Sequence, residues 1–455
     1  MRIALGTPLS YNDLIKHGEA FSKEKNAEFF THITTDSREA QSGDLFFSLT
    51  SEKESADAHI LEAQKKGAFG VSAISKHAFF LVKDSEKTLL RLAAFHKTEL
   101  HALKATVAIT GSVGKTTTKE FCASLLSSKY KVHKTYMNYN NALGLSLSLL
   151  ASPKDTEILV LELGMNKLGE IKELSEAIKP DYAVITNIGN AHIGMLGSRE
   201  MIAHAKLEVS AGMKEELIIA PYEEPLLSKA KFKFSLFEKN CDFHLPLRKD
   251  GEAFEFYHSS DKVIEFKTNY KASHHLSALL IALSLAKILN FNETEMLRGI
   301  KNCENIVFRQ RLIRLKNFFI LDDTYSSSPE AVKAEIEYIK LEFPNRSFSL
   351  ALGDMLELGN KTERLHKEIG RLAFLEGADK LYAFGAYAYL IRDGAKAAGM
   401  KDSDLFATTE LLDYQLIAKE IYRKSKNGEI VLIKASHALY GGKITEEIER
   451  LDKEC

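Results

Sequence analysis

ITGSVGKTTTKE, residues 109–120, decides how this chain is read. It follows an apolar, β-branched run, Thr106-Val107-Ala108-Ile109, and precedes a helix-like stretch, KEFCASLLSSK. A glycine-rich turn between a strand and a helix aims several backbone N–H groups in one direction, and the helix adds its positive N-terminal end. Lys115 brings a mobile charge for terminal phosphates, and the Thr116 hydroxyl suits Mg²⁺. Gly111, Ser112, Val113, Gly114, Lys115, Thr116 and Thr117 are therefore expected to hold a nucleoside triphosphate, ATP in the first instance. The spacing departs from the full Walker pattern: Ile109 stands where its first glycine would be, and Gly111 opens the loop instead.

On either side of this loop the chain divides into three regions. Residues 1–103 mix short strand-like pieces with helices. Residues 104–308 alternate apolar runs (VAIT, EILVLELG, YAVITNIG, ELIIAP) with helical stretches, the pattern of a parallel sheet covered on both faces. Within that region, 232–268 reads as antiparallel strands joined by turns. Residues 309–455 restart the alternation with FFILDD, SFSLALGD, KLYAFG and EIVLIKAS. The expected fold class is α/β in three domains: a small α/β substrate domain, a central P-loop parallel-sheet ATPase domain with an antiparallel β addition, and a Rossmann-like C-terminal domain.

A chain of 455 residues is too long for one core and fits this division. Sixty-one basic residues against 62 acidic ones leave no general basic field, so a nucleic-acid partner is not expected. Cys122, Cys241, Cys303 and Cys455 lie far apart without a CxxC, which suits reduced thiols in a reducing compartment. The N-terminal stretch lacks the apolar run of a signal peptide. The most apolar helix candidate, 275–289, is short and broken by serines and Lys287, so it reads as buried and not membrane-spanning. A cytoplasmic monomer is the expectation.

A P-loop hydrolase needs a carboxylate at a neighbouring strand end to hold magnesium. Glu162, closing EILVLELG, is placed for that; standing alone it would read as a strand-end carboxylate facing solvent. The order ITGSVGKTTTKE, NYNNALG (138–144), LELGMNKLGEI (161–171), PDYAVITNIGNAHIGMLGS (180–198) and AHAKLE (203–208) resembles the central domain of the Mur ligase family. LDDTYSSSP (321–329) and LGDMLELG (352–359) are similar to the family's C-terminal motifs, and TTDSREAQSGDLFFSL (34–49) to its UDP-substrate domain, which includes Thr35, Asp36, Ser37 and Arg38.

The resemblance implies an ATP-dependent amide ligase of cell-wall precursor synthesis. Its substrates would be a UDP-N-acetylmuramoyl tripeptide and D-alanyl-D-alanine, joined through an acyl phosphate. It implies two magnesium ions, held by Thr116 and Glu162 and by His192 and Lys206, the lysine carbamylated. A carbamate needs an unprotonated amine, so Lys206 should be desolvated or close to cations. Asn140 and Asn141 match a substrate-side asparagine pair, against the plain alternative of two turn formers. Asn187 and Gly189 would shape the loop presenting His192, and Glu170 would cap a helix start instead of touching a ligand. His274 matches the adenine-contacting loop, and Arg311 an arginine near the phosphates. Asp323 and Tyr325 would meet the ribose and the incoming amine, with Lys434 at the rim.

The chain departs from the family pattern at the periphery. His275 and Ala278 stand in place of asparagines, as do Ser326 and Ser328. His437 replaces an arginine, and Gly194 a common glutamate. Loss of one charge-assisted hydrogen bond is worth ~1.5–3 kcal/mol, enough to shift which amine is preferred. The alternatives are another Mur-type or folylpolyglutamate-synthase-like ligase and, in a different class, a P-loop ATPase switch. Because phosphate and amine groups lie on different domains, domain closure is expected.

Overall fold

The computed structural model describes the whole chain except residues 23–28, 247–252, 305, 307–310, 325–326, 411–412, 437–438, 440 and 455. Tyr325, Ser326 and His437 thus lie outside the described residues. Among those described, three sheets form, one in each region expected from sequence.

The N-terminal sheet runs Arg2–Ser10, Phe29–Thr34, Leu45–Phe47, Phe69–Ser72, Phe80–Leu81, Phe21–Ser22. Its first and last pairings are antiparallel and those between are parallel. Helix Ser85–Thr98 ties this domain to the central one. His96 Nε2 lies 2.9 Å from the Ser152 carbonyl, and Lys97 donates to the Ile178 carbonyl.

The central sheet has nine strands, and Ala105–Thr110, the strand feeding the phosphate loop, lies between Tyr182–Ile185 and Ile158–Glu162. All its residues are buried, as the unbroken apolar run requires. Strands Val132–Lys134 through Phe243–His244 pair in parallel; only Phe254–His258 and Asp261–Phe266 add antiparallel edges. The antiparallel addition is therefore smaller than the sequence suggested. Phe232–Ser235 pairs in parallel with Phe243–His244, because the intervening residues cross over instead of making a hairpin. Helix Ser273–Ile288 is buried along most of its length and packs on the phosphate helix, Lys115–Leu126. Among the described residues no helix is long and apolar enough to cross a membrane.

The C-terminal sheet runs Arg311–Arg314, Phe319–Asp323, Ile430–Lys434, Phe348–Gly353, Leu381–Phe384, Leu405–Thr408, parallel except for its first pairing. Register sets Asp323 opposite Lys434 at the ends of adjacent strands, where α/β sheets place ligands.

Candidate active site

The phosphate loop is built for close approach. Gly111 has φ 148° and Gly114 φ 79°, conformations that favour glycine. A Cβ at Gly111 would lie 1.8 Å from Thr186 Oγ1. The loop is braced from the next strand end: Thr186 Oγ1 donates to the Val113 carbonyl at 2.7 Å, and Asn187 Oδ1 accepts from Val113 N at 3.0 Å. Gly189 N donates to Ser112 Oγ at 2.8 Å. Asn187 and Gly189, expected to shape the loop presenting His192, thus also brace the phosphate loop by direct contact. Helix Lys115–Leu126 starts at the cleft with no side-chain cap, so its first N–H groups, which have no intrahelical acceptor, are left for a ligand there. Lys115 Nζ rests on the Gly111 carbonyl at 2.8 Å, within reach of an incoming phosphate.

Glu162 ends its strand 1% exposed. Oε1 accepts from Asn140 Nδ2 at 2.9 Å. Oε2 is buried, has no hydrogen-bond partner and lies 3.8 Å from the Lys119 ammonium. A buried carboxylate oxygen left without a hydrogen bond is poised for a cation. Lys119, fully buried, also donates to the Met137 carbonyl and pairs with Glu120 at 3.3 Å; burial lowers its pKa against the pull of both carboxylates.

The asparagine pair divides. Asn140 faces the site, whereas Asn141 caps helix Ala142–Leu150, its Oδ1 accepting from Gly144 N at 2.9 Å. For position 141 the turn-forming reading is the one the geometry gives. Asn141→Ala should cost about 1 kcal/mol of stability in denaturant unfolding. Asn140→Ala should lower turnover by loosening Glu162.

His192 sits at φ 64°, ahead of the short helix Ile193–Leu196. Its Nδ1 meets the Glu357 carboxylate, and burial holds its pKa below the usual value despite that carboxylate. Lys206, in helix Arg199–Leu207, is 2% exposed. Burial, reinforced by the Lys115 charge, pushes its pKa well below that of an ordinary lysine. Both conditions set for this amine, desolvation and a nearby cation, are met. Glu170 accepts from Asn166 N at 2.6 Å and so serves the turn before its helix.

A cleft of about 1140 Å³ joins these groups to the C-terminal domain. Lys115, Thr116, Glu162, His192 and His274 line it from the central domain, and Asp323, Ser328 and Lys434 from the C-terminal one. Asp323 and Lys434 pair at 2.5 Å, and Ser328 caps helix Pro329–Glu342. Burial drives the His274 pKa down to about 4, and neither of its ring nitrogens has a hydrogen bond. Arg311 does not line the cleft. It lies on an edge strand, largely exposed and bound to Glu449 at 2.9 Å, so the surface-charge reading describes it better. Thr35, Asp36, Ser37 and Arg38 form a separate cluster. Arg38 grips Asp36 through two nitrogens, Ser37 Oγ donates to Glu62 at 2.5 Å, and Lys66 caps the turn's carbonyls.

Two family models match the chain: the Mur ligase middle domain over residues 109–286 and the Mur ligase glutamate ligase domain over residues 309–437. A Bacillus subtilis protein named UDP-N-acetylmuramoyl-tripeptide–D-alanyl-D-alanine ligase is 33% identical, the match covering 91% of this chain and 92% of that one. This chain belongs to the Mur ligase family. Among Mur ligases of known structure, MurF from Thermotoga maritima in complex with ADP is 29% identical with a TM-score of 0.76, covering 93% of this chain and 98% of that one. MurF from Acinetobacter baumannii, 24% identical, shares the fold at a TM-score of 0.83 over 98% of this chain and 100% of its own.

Two groups at this Mur ligase's site, one buried behind Glu162 and one on the cleft wall, were not legible as functional. Lys119 reads in sequence as an ordinary helix-surface lysine. Glu357 lay inside the quoted LGDMLELG, but nothing local announces a partner 165 positions away.

Proposed function

We infer that this Mur ligase uses ATP to join D-alanyl-D-alanine to the peptide carboxylate of a UDP-N-acetylmuramoyl tripeptide. One observation carries the reading. A phosphate loop and a buried carboxylate with an oxygen lacking a hydrogen bond line one cleft that a second domain covers, and the charge of the loop's Lys115 reaches the desolvated Lys206. A carboxylate is a poor electrophile and must be activated. In the reading, a carboxylate oxygen attacks the γ-phosphorus, ADP leaves, the amine attacks the acyl carbon, and phosphate leaves with the transferred oxygen. Lys115 and the first N–H groups of its helix hold the β- and γ-phosphates and stabilise the charge that develops there. The central domain holds the nucleotide phosphates, and Asp323, Ser328 and Lys434 hold the amine-side rim.

The chemistry of the donors fits magnesium. Among the described residues no three His, Cys, Asp or Glu side chains form a closed metal cage. Magnesium is commonly held by one or two protein groups with water and phosphate. Thr116 and Glu162 would hold one ion; His192, as neutral imidazole, and carbamylated Lys206 would hold a second. Bound there, the ions would neutralise the gathered phosphate and carboxylate oxygens. We assign 1–103 to the UDP-linked substrate, 104–308 to ATP and 309–455 to the amine, in a cytoplasmic monomer.

Phosphate release measured with ATP, the UDP-tripeptide and a panel of amines tests this. Release should require acid and amine together, with D-alanyl-D-alanine preferred. Turnover with neither present would instead indicate an ATPase switch.

A further inference from the structure

The joint between the central and C-terminal domains is unusually close. Gly194 N donates to the Glu357 carbonyl at 2.8 Å. A Cβ at Gly194 would lie 2.5 Å from Gly359 N and 2.7 Å from Glu357 O, and one at Gly359 would lie 2.5 Å from Gly194 Cα. Both partners are backbone, so no side-chain rotation relieves the overlap. Beside this contact, Asn190 donates through N at 3.0 Å and Nδ2 at 2.7 Å to Glu330 Oε1 of the C-terminal domain. His192 and Glu357, which meet at the centre of the joint, both have left-handed backbones, at φ 64° and φ 63°. Non-glycine residues adopt that conformation only where surrounding contacts enforce it.

A neutral imidazole has one N–H and one bare nitrogen, and the partner of one nitrogen fixes the role of the other. A carboxylate that accepts from Nδ1–H selects that tautomer and leaves Nε2 as the acceptor or ligand atom, as carboxylate–histidine pairs do beside metals. Glu357 stands against Nδ1 as the group able to do this, in ion-pair contact though without hydrogen-bond geometry in this structure. Here the carboxylate comes from the other domain.

We infer that Glu357 is a positioning residue for His192. Delivered by the C-terminal domain through the Gly194–Gly359 contact, it sets the imidazole with Nε2 available to the cleft only when the two domains meet. The inference rests on the ligase reading above and adds a control to it: the phosphoryl-transfer centre is completed by arrival of the domain that carries the amine. ATP bound to the central domain alone therefore faces an unfinished site.

Glu357→Ala, Glu357→Gln and Gly194→Ala test this in the full-length protein. Thermal unfolding of each variant verifies that it is folded. Wild-type ligation in the same assay tests the ligase reading on its own, and the variants' behaviour relative to wild type tests the coupling. Glu357→Ala should lower kcat at least about tenfold while leaving KM for ATP within about twofold. It should also weaken Mn²⁺ binding, followed by electron paramagnetic resonance with a non-hydrolysable ATP analogue, by about tenfold. Glu357→Gln, whose amide oxygen still accepts from Nδ1–H, should recover most of both losses. Gly194→Ala should bind the analogue normally yet fail to compact with analogue and substrates in small-angle X-ray scattering. Three results would each overturn the inference: a smaller loss for Glu357→Ala, a Gln variant as impaired as the Ala variant, or wild-type compaction in Gly194→Ala.

Discussion

Lys115→Ala should lower kcat by about a hundred- to a thousandfold, the loss typical of removing one preorganised donor to developing charge. The side chain lies on the loop carbonyls of Gly111 and Ser112, so its ammonium already sits where β- and γ-phosphates would arrive. A second consequence follows from its neighbour. The Lys115 charge helps depress the pKa of buried Lys206. Without that charge the Lys206 amine should be protonated to a higher pH, and carbamylation by dissolved CO₂ should decline at neutral pH. Added bicarbonate should therefore restore part of the lost activity in Lys115→Ala, more at pH 9 than at pH 7. Phosphate-release rates at both pH values, with and without bicarbonate, measure this. Undiminished turnover in the variant would remove Lys115 from the mechanism.

Glu162→Gln should be nearly as damaging to turnover, by about a hundredfold or more, with little loss of fold. The amide keeps the shape and can still accept from Asn140, but the anion is gone. Magnesium titrations of activity should show a midpoint displaced to higher concentration. Glu162→Ala should differ in stability. It leaves the buried Lys119 ammonium with Glu120 as its remaining carboxylate, beside the Met137 carbonyl, and should cost about 1–3 kcal/mol in urea unfolding. A Gln variant with wild-type magnesium dependence would show that Glu162 serves only to pair Lys119.

The phosphate loop was legible because its chemistry is local: two glycines, a lysine and threonines adjacent in sequence, between a buried strand and a helix. The strand end that carries Glu162 and the parallel sheet around it followed from uniformly apolar runs alternating with helices; the order of the strands did not. What failed to show was long-range. The strands Phe232–Ser235 and Phe243–His244 are close in sequence and looked like a hairpin, yet they pair in parallel, and local turn signals do not encode that choice. Asn140 and Asn141 are chemically identical neighbours; only the helix start at Ala142 decides that one caps and the other faces the site. Arg311 resembled a phosphate ligand by motif position, but an exposed edge strand carries it to Glu449. Lys119 and Glu357 acquire meaning only from carboxylate and imidazole partners brought by folding.

The central claim is that this cleft moves a phosphoryl group onto a carboxylate before nitrogen attacks it. Labelling the peptide carboxylate of the UDP-tripeptide with ¹⁸O and analysing the released phosphate by mass spectrometry tests it most directly. Activation through an acyl phosphate predicts one ¹⁸O in each phosphate formed during ligation, whereas ligation that released only unlabelled phosphate would contradict it.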